Sequence, residues 1–357
     1  KSREPLERHR WLSRAATLGR GSERPLRELG EVCLVLQRDQ EALQWLQKAF
    51  SQPGGNSDAD VARMLSKLYV RAGRVEDALD IYRSALDAVP ENLSLSRSYG
   101  QLLLKQGRAM DAIQVMQRTA RLSPPTEAAA LHITLAELHQ GLGQMREAHA
   151  AWESAASLDG SNAAAWKGLV TAAAALGETK TQLRALSKLM VLEPGVADWA
   201  ASYALLKLRV DPGSKEAEVH LERAVALNPS HVGALVGLAR FRPNREALDL
   251  FERALSASPK SVEALEGAAG IRWARGESKA AATHYKALLD LQPSNNTACY
   301  RLAVAALLEQ NTTEARSLLS RVTQSSRSTQ EALALMGFLD LLLGSADRAR
   351  EALQLAR

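Results

Sequence analysis

The sequence predicts an all-α fold of tandem helical hairpins, and three observations support this prediction. The chain of 357 residues is 46% hydrophobic but only 4% aromatic, and alanine and leucine supply most of its apolar residues. Such a composition is typical of helices that pack closely against other helices. Alanines recur at intervals of about 34 residues, a period typical of stacked helical units. Glycines and prolines recur at fixed offsets from these alanines, so one unit is repeated along the chain.

Each element of the unit has a physical reason. A glycine five residues before the alanine ends the first helix in a left-handed conformation that a β-carbon disfavours. The alanine lets the second helix approach the first, and a large apolar residue four positions later fills the groove beside it. Proline then ends the second helix because it has no N–H to donate. Residues 65–90 show the whole unit, with Gly73, Ala78, Tyr82 and Pro90 in order, and the other turn glycines are Gly107, Gly143, Gly276 and Gly344.

This pattern resembles the tetratricopeptide repeat (TPR) family, whose unit carries W-x-x-L-G-x-x-Y, then A-x-x-x-F, then P. Trp166 and Leu169 reproduce the start of that motif, and Tyr99 followed by Gly100 matches its large-then-small pair. The resemblance covers residues 23–357 and implies a right-handed α-solenoid of ten repeats. The repeats start near residues 23, 59, 93, 129, 163, 197, 232, 262, 296 and 330.

The repeats divide the chain into three parts. We assign residues 1–22 to an N-terminal capping helix or the end of a preceding repeat, residues 23–231 to repeats 1–6, and residues 232–357 to repeats 7–10, of which the last is incomplete. Repeat 6 has an extra residue at its turn, and repeat 7 is about four residues short. Because each repeat contacts only its neighbours, these two turns predict a bend near residues 208–246. Ordinary drift of the repeat is the alternative interpretation.

The net charge of +5 comes from the first third of the chain, where residues 1–126 hold 20 Lys and Arg against 15 Asp and Glu. In TPR proteins, the resemblance implies, ligands lie in a concave groove lined by the first helix of each repeat. The groove positions of repeats 1–3 form a basic stripe, which predicts binding of an acidic or phosphorylated segment through charge-assisted hydrogen bonds. A solvated charged face is the alternative. The predicted contacts are Arg24, Arg27, Arg63, Lys67, Arg71, Arg97, Gln101 and Lys105.

Repeats 8–10 present a different chemistry at the same groove positions. Trp273, Tyr300 and Phe338 stand there together with several Val and Leu residues. Exposed aromatic side chains commonly anchor protein interfaces, so these three residues predict a surface for an apolar partner segment. Packing between repeats is the alternative interpretation for most of the accompanying Val and Leu residues.

The sequence carries no recognisable catalytic motif. H-E-x-x-H, G-x-S-x-G and P-loop strings do not occur. His132 and His139 share a helix face but have no identifiable third ligand, and Cys33 and Cys299 lack the C-x-x-C spacing of a cysteine zinc site. We therefore predict a protein that is not an enzyme and has no cofactor or metal.

These observations favour a non-catalytic scaffold that binds partner proteins in its groove and assembles a multiprotein complex. One alternative is the periplasmic arm of a bacterial exopolysaccharide or protein export system, which the Ala- and Arg-rich composition would suit. Another is an RNA-associated helical repeat protein, favoured only by the pI of about 9.2. Binding of nucleic acid is disfavoured, because the basic residues are spread along helices with few aromatics to stack on bases.

The sequence leaves the compartment open between cytoplasm and periplasm. No stretch approaches the roughly 18 consecutive apolar residues expected of a membrane span. The chain begins at Lys1 and ends at Arg357 within an apolar helical pattern. We therefore expect it to be a piece of a longer protein.

Overall fold

The computed structural model describes residues 3–18, 23–323 and 330–356, and the side chains of residues 5–14, 25–323 and 330–356. These residues form 21 α-helices and one short 3-10 turn, with no strand among them. The predicted all-α solenoid is confirmed. Within the described residues, no helix is both long and apolar enough to cross a membrane.

Helix α1 (Arg3–Leu18) is followed by twenty helices that alternate as the first and second helices of ten repeats. The first helices are α2 (Glu23–Val35), α4 (Ala59–Arg71), α6 (Leu93–Lys105), α8 (Pro125–Gly141), α10 (Ala163–Leu176), α12 (Ala197–Val210), α14 (Val232–Ala239), α16 (Val262–Ala274), α18 (Asn296–Leu308) and α20 (Gln330–Leu342). The second helices are α3 (Asp39–Phe50), α5 (Val75–Ala88), α7 (Ala109–Leu122), α9 (Met145–Leu158), α11 (Thr179–Leu192), α13 (Lys215–Leu227), α15 (Asn244–Ala257), α17 (Ser278–Leu291), α19 (Thr312–Thr323) and α21 (Ala346–Leu355).

The chain forms two compact units, residues 1–185 and residues 186–357. The core of the first unit includes a cluster of buried side chains that runs from Leu26 to Ala112. The second unit contains one buried cluster from Met190 to Ala264 and another from Leu265 to Leu339. In both units most core residues are Ala and Leu, as the composition predicts.

The turns between paired helices use the left-handed backbone conformation that the repeat predicts. Gly177 joins the five turn glycines named above, and all six have φ between 72° and 79°. A Cβ built at any of the six would meet no atom within 4 Å. Glycine is therefore favoured at these positions by backbone conformation alone. Gln37 and Gln310 adopt the same conformation with φ of 61° and 59°.

A second set of glycines lies where two helices touch. A Cβ added to Gly168 would overlap the Trp152 ring, and one added to Gly267 would overlap the Phe251 ring. Each of these rings belongs to the large residue that follows the repeat's alanine by four positions. The large residue of each of these units thus packs against a glycine on the first helix of the next repeat.

Two features of the repeats differ from a regular array. Helix α8 begins at Pro125 rather than near residue 129, because a proline at the first helical position needs no N–H partner. Helix α14 has only eight residues, which reflects the shortening of repeat 7. The domain boundaries at residues 22 and 231 and the bend near residues 208–246 stay predictions.

Candidate partner-binding surfaces

In the first unit, α4 and α6 bring four of the predicted contact residues together. Lys67 and Arg71 lie four residues apart on α4, and Gln101 and Lys105 lie four residues apart on α6, so each pair shares a helix face. The four side chains line a cavity of about 380 Å³, which we call the basic cavity. Its other lining residues are Ser66, Val70, Tyr82, Ser98 and Leu102.

The basic cavity has a positive electrostatic balance. None of its lining residues is Asp or Glu. Lys67 and Lys105 are exposed and form no ion pair within the described part of the chain. Arg71 has one carboxylate partner, with Nη1 placed 3.2 Å from Asp39 Oδ2. An anion entering the cavity would therefore meet two cationic side chains that have no competing internal partner.

Hydroxyl groups occupy the inner wall of the basic cavity. The Tyr82 side chain is buried, and Ser66 and Ser98 line the cavity beside it. Burial raises the pKa of Tyr82, so its phenol stays neutral near pH 7. The Ser66 hydroxyl also donates to the Ala78 carbonyl at 3.2 Å. These contacts fix the wall behind the flexible lysines.

A second cavity of about 620 Å³ adjoins the first, because both are lined by Ser98 and Gln101. Arg97 belongs to this second cavity and donates from Nη2 to the Ala130 carbonyl at 3.2 Å. The lining also includes Glu91 and Glu127, so its charge is mixed. Of the two cavities, the basic cavity is the one suited to an anion.

The remaining predicted basic residues have internal partners or lie outside the described side chains. Arg27 pairs with Asp58 at 2.8 Å, with Asp60 at 2.9 Å and with Glu31 at 3.0 Å. The hydrogen bond to Glu31 is the largest cause that raises the pKa of Arg27, and Asp58 raises it further, while burial opposes both. Arg63 pairs with Asp60 at 2.7 Å and donates to Ser94 at 3.3 Å. The side chain of Arg24 lies outside the described residues, although its backbone belongs to α2.

In the second unit, α16, α18 and α20 carry Trp273, Tyr300 and Phe338. Trp273 and Tyr300 are half-buried and pack against the buried cluster from Leu265 to Leu339. Trp273 meets Tyr285 edge to face, with ring centroids 6.4 Å apart. Phe338, by contrast, is 61% exposed, and Leu342 in the next turn of α20 is 70% exposed. Of the three predicted contacts, Phe338 is the most accessible.

Sequence reasoning missed the cation that accompanies these aromatic side chains. The Arg301 guanidinium carbon lies 5.1 Å from the Trp273 ring centroid and 6.0 Å from the Tyr300 centroid. Both distances are within the range of cation–π attraction. The only sequence signal was an arginine next to Tyr300, since the approach to Trp273 depends on how two repeats stack. The surface that was predicted to be apolar therefore includes a guanidinium group.

Other cavities lie outside the predicted residues. One of about 330 Å³ lies beside the short helix α14 and is lined by Arg209 and Arg240 together with aliphatic side chains and Glu263. Another of about 760 Å³ lies between α19 and α20, where Arg316 Nη2 is 2.7 Å from Asp340 Oδ1. No motif in the sequence pointed to either cavity.

His132 and His139, which share a face of α8, differ in their surroundings. Burial lowers the pKa of His132, and the His139 ring is hydrogen-bonded through Nδ1 to Gln144 at 2.7 Å. Among the described residues, one group has donor atoms close enough to bind a metal ion, and it consists of His9, Cys33 and Glu41.

The tetratricopeptide repeat family model matches residues 63–126, 133–189, 243–296 and 271–328, which together make up more than half of the chain. The protein belongs to the tetratricopeptide repeat family. Repeats of this family typically form non-catalytic scaffolds for protein–protein interaction. No curated protein matches the chain.

Several solved structures are similar to this TPR protein. A Pseudomonas aeruginosa pilF structure is 18% identical, with 58% of this chain and 96% of that chain covered and a TM-score of 0.48. The structure of MamA residue 41 to the end, from Desulfovibrio magneticus RS-1, is 18% identical, with coverages of 47% and 96% and a TM-score of 0.41. The Cut9–Hcn1 hetero-tetramer of the APC/C is 13% identical over 98% of this chain and 81% of that chain, with a TM-score of 0.42.

Proposed function

We propose that this TPR protein is a non-catalytic scaffold that binds partner proteins on the surfaces of its first helices and assembles a multiprotein complex. One of these partners presents an acidic segment to the basic cavity. The observation that supports this most strongly is that Lys67, Arg71 and Lys105 line one cavity with no carboxylate among its lining residues. A uniformly solvated charged face would not concentrate like charges around a cavity.

The chemistry of the cavity suggests the form of the acidic segment. Lysine ammonium groups act as flexible point charges, so they bind carboxylates or phosphates without requiring a fixed geometry. The Gln101 amide and the Ser98 hydroxyl add neutral hydrogen-bond donors. Val70 and Leu102 supply apolar contact area beside the charges. The fitting ligand is therefore an extended peptide with acidic side chains next to an apolar one.

We propose a second partner surface around Trp273, Tyr300 and Phe338 in the second unit. The exposure of Phe338 and Leu342 supports an apolar contact there. Arg301, which lies over two aromatic rings, adds a cation that could meet a carboxylate or a further ring of the partner. An apolar segment with one acidic or aromatic side chain suits this surface.

Binding of a fluorescent acidic peptide to the whole chain tests the basic cavity. Lys67→Glu combined with Lys105→Glu should weaken binding by at least about tenfold, because attraction at two sites becomes repulsion. The matched control is Lys215→Glu combined with Lys279→Glu, which changes the net charge equally at exposed lysines on α13 and α17. The control should bind within about twofold of the unaltered chain. Equal loss in both variants would mean unspecific charge attraction, and no loss in either would refute the assignment of the cavity.

The same design separates the two surfaces when the native partners are captured. A chain with Tyr300→Ala and Phe338→Ala should keep the acidic partner and lose the apolar one. The lysine variant should do the reverse. Loss of every partner from one variant with its helical content unchanged would instead indicate that one surface serves all partners.

A further inference from the structure

Side chains from three successive helices meet at the start of the first unit. His9 lies on α1, Cys33 on α2 and Glu41 on α3. His9 Nε2 is 3.5 Å from Glu41 Oε2, and Cys33 Sγ is 4.0 Å from the same oxygen. All three donor atoms lie within 4.8 Å of one another. The helices thus converge on a point surrounded by one nitrogen, one sulfur and one oxygen.

The donor set matches the chemistry of zinc. Zn²⁺ is borderline-soft and binds thiolate, imidazole and carboxylate, at about 2.3 Å for sulfur and about 2.0–2.2 Å for nitrogen and oxygen. In a tetrahedral complex these bond lengths place the ligand atoms roughly 3.3–3.6 Å apart. The observed nitrogen–oxygen distance of 3.5 Å is already in that range, and the sulfur–oxygen distance of 4.0 Å needs only a small contraction.

The surroundings of the three side chains also point to a ligand. Cys33 is completely buried, and the His9 side chain is 18% exposed. His9 Nε2 is shielded from solvent and has no hydrogen-bond partner among the described residues. The contact of His9 Nε2 with Glu41 Oε2 is 3.5 Å long and leaves the shielded nitrogen without a good hydrogen bond, and metal coordination would satisfy it.

Two contacts compete with a metal ion for these side chains. Arg38 Nη1 lies 3.4 Å from Glu41 Oε2 and would compete with a cation for that oxygen. A simple ion pair of His9 and Glu41 that holds α1 against α3 is the alternative to a metal site. An ion pair, however, does not require the Cys33 thiol to be part of the cluster, whereas a zinc site does.

We propose that His9, Cys33 and Glu41 bind one zinc ion, with a water molecule as fourth ligand, and that this ion ties α1 to the first repeat. On binding, the Cys33 S–H proton leaves to solvent and the thiolate forms the bond to the metal, so one proton is released for each ion. Such an ion would stabilise the first unit whether or not partners bind the two proposed surfaces.

Titration of the metal-free whole chain with Co²⁺ tests the proposal, because a thiolate bound to Co²⁺ gives a charge-transfer absorption that imidazole or carboxylate ligands do not give. We expect that absorption to saturate at one equivalent and to disappear when Zn²⁺ is added. Cys33→Ser should abolish it. Cys299→Ser is the matched control, because Cys299 is the other buried cysteine and no metal-ligand cluster of the described residues includes it.

A second measurement covers the case in which a variant folds poorly. Zn²⁺ should raise the thermal midpoint of the unaltered chain and of Cys299→Ser, since a ligand that binds only the native state stabilises it. The midpoint of His9→Gln should not respond. Lack of the absorption in the unaltered chain, its persistence in Cys33→Ser, or an equal Zn²⁺ response in His9→Gln would each overturn the proposal.

Discussion

The cationic side chains of the two proposed partner surfaces differ in the groups that contact them. In the first unit, Arg27 is held by three carboxylates, whereas Lys67 and Lys105 have no ion-pair partner within the described residues. In the second unit, Arg301 forms no ion pair with a described residue and lies over Trp273 and Tyr300 instead. On the first surface, carboxylates neutralise an arginine while the lysines stay accessible. On the second surface, the cation lies over aromatic rings.

The packing between helices is nevertheless the same in the two units. A glycine on a first helix faces a large side chain on a second helix in both units, as Gly168 faces Trp152 and Gly267 faces Phe251. The repeat thus fixes its small and large core positions and leaves the outer positions of the first helices free to vary. The chemistry of each surface therefore depends on which neighbours hold its cations, because these core contacts are alike in both units.

Two glycine substitutions test whether this packing is the same in both units, and they should cost the most stability. Gly168→Ala in the first unit and Gly267→Ala in the second should each destabilise the repeats around them by about 2–3 kcal/mol, because an added Cβ would overlap a rigid ring. Native-state hydrogen exchange of the helices around each site measures the loss locally.

Gly100→Ala supplies the control for that pair. The nearest atom to its added Cβ is the terminal methyl of Met116, which is flexible and can move aside. Its cost should be clearly smaller. If all three substitutions cost the same, the rings do not set the spacing between the helices.

Much of the fold could be predicted from the sequence, because residues close together in the chain determine the structure of each repeat. The turn glycines have the predicted positive φ, and the large residues after the alanines fill the predicted contacts. The start of α8 was not predicted correctly, since the fourth repeat was expected to start near residue 129 and its first helix begins at Pro125.

The candidate surfaces could be predicted from the sequence only in part. Lys67 and Lys105 fall on groove positions and line the basic cavity, as the helical spacing suggested. That Arg27 is neutralised by Asp58 and Asp60 depends on side chains more than thirty positions away. The approach of Arg301 to Trp273 depends on stacking between repeats in the same way. Sequence patterns within one repeat do not carry this information.

A second prediction concerns the ion pairs of the first surface. Asp58 caps α4 by accepting from the Asp60 and Val61 amides, and its other oxygen holds Arg27. Asp58→Ala should cost about 1–2 kcal/mol from loss of the cap alone. Asp58→Asn keeps a capping oxygen and loses the charge, so its smaller cost should shrink further at high salt. Thermal unfolding at low and high salt measures both.

The matched substitution in the second unit is Asn295→Ala. Asn295 caps α18 by accepting from the Ala298 amide at 3.0 Å and carries no charge. Its cost should also be about 1 kcal/mol but should depend little on salt. A salt dependence as strong as that of Asp58→Asn would remove the distinction between a charged and an uncharged capping side chain.

A third prediction should give the same result in both units. Gln37→Gly and Gln310→Gly should each stabilise the chain by about 0.5–1 kcal/mol, because both glutamines have a left-handed backbone that glycine adopts without steric cost. Gly107→Ala is the converse change and should destabilise by about 1 kcal/mol, since only its φ of 75° opposes a side chain. Chemical denaturation measures all three, and destabilisation by either glycine substitution would show that the glutamine side chain contributes a contact of its own.

The smallest expected effect concerns acid stability. Burial lowers the pKa of His132 in the first unit and, as the largest cause, that of His220 and His284 in the second. A lowered pKa in the folded state means that the unfolded chain binds protons more readily, so stability should fall as the pH drops below the unfolded value of about 6.5. It should stop falling from this cause once the pH passes below the folded pKa values.

The two units should differ in this response, because the second contains two of the three histidines whose pKa is lowered. Comparing local stability by hydrogen exchange at about pH 7.5 and about pH 5.5, on either side of the unfolded histidine pKa, measures the difference. His220→Gln should reduce the loss on acidification near α13, and His132→Gln should do so near α8. His220 also faces Glu216, which raises its pKa, and Arg223, which lowers it, so its response should be weaker in Arg223→Gln. An unchanged response in both histidine variants would assign the acid sensitivity to carboxylates instead.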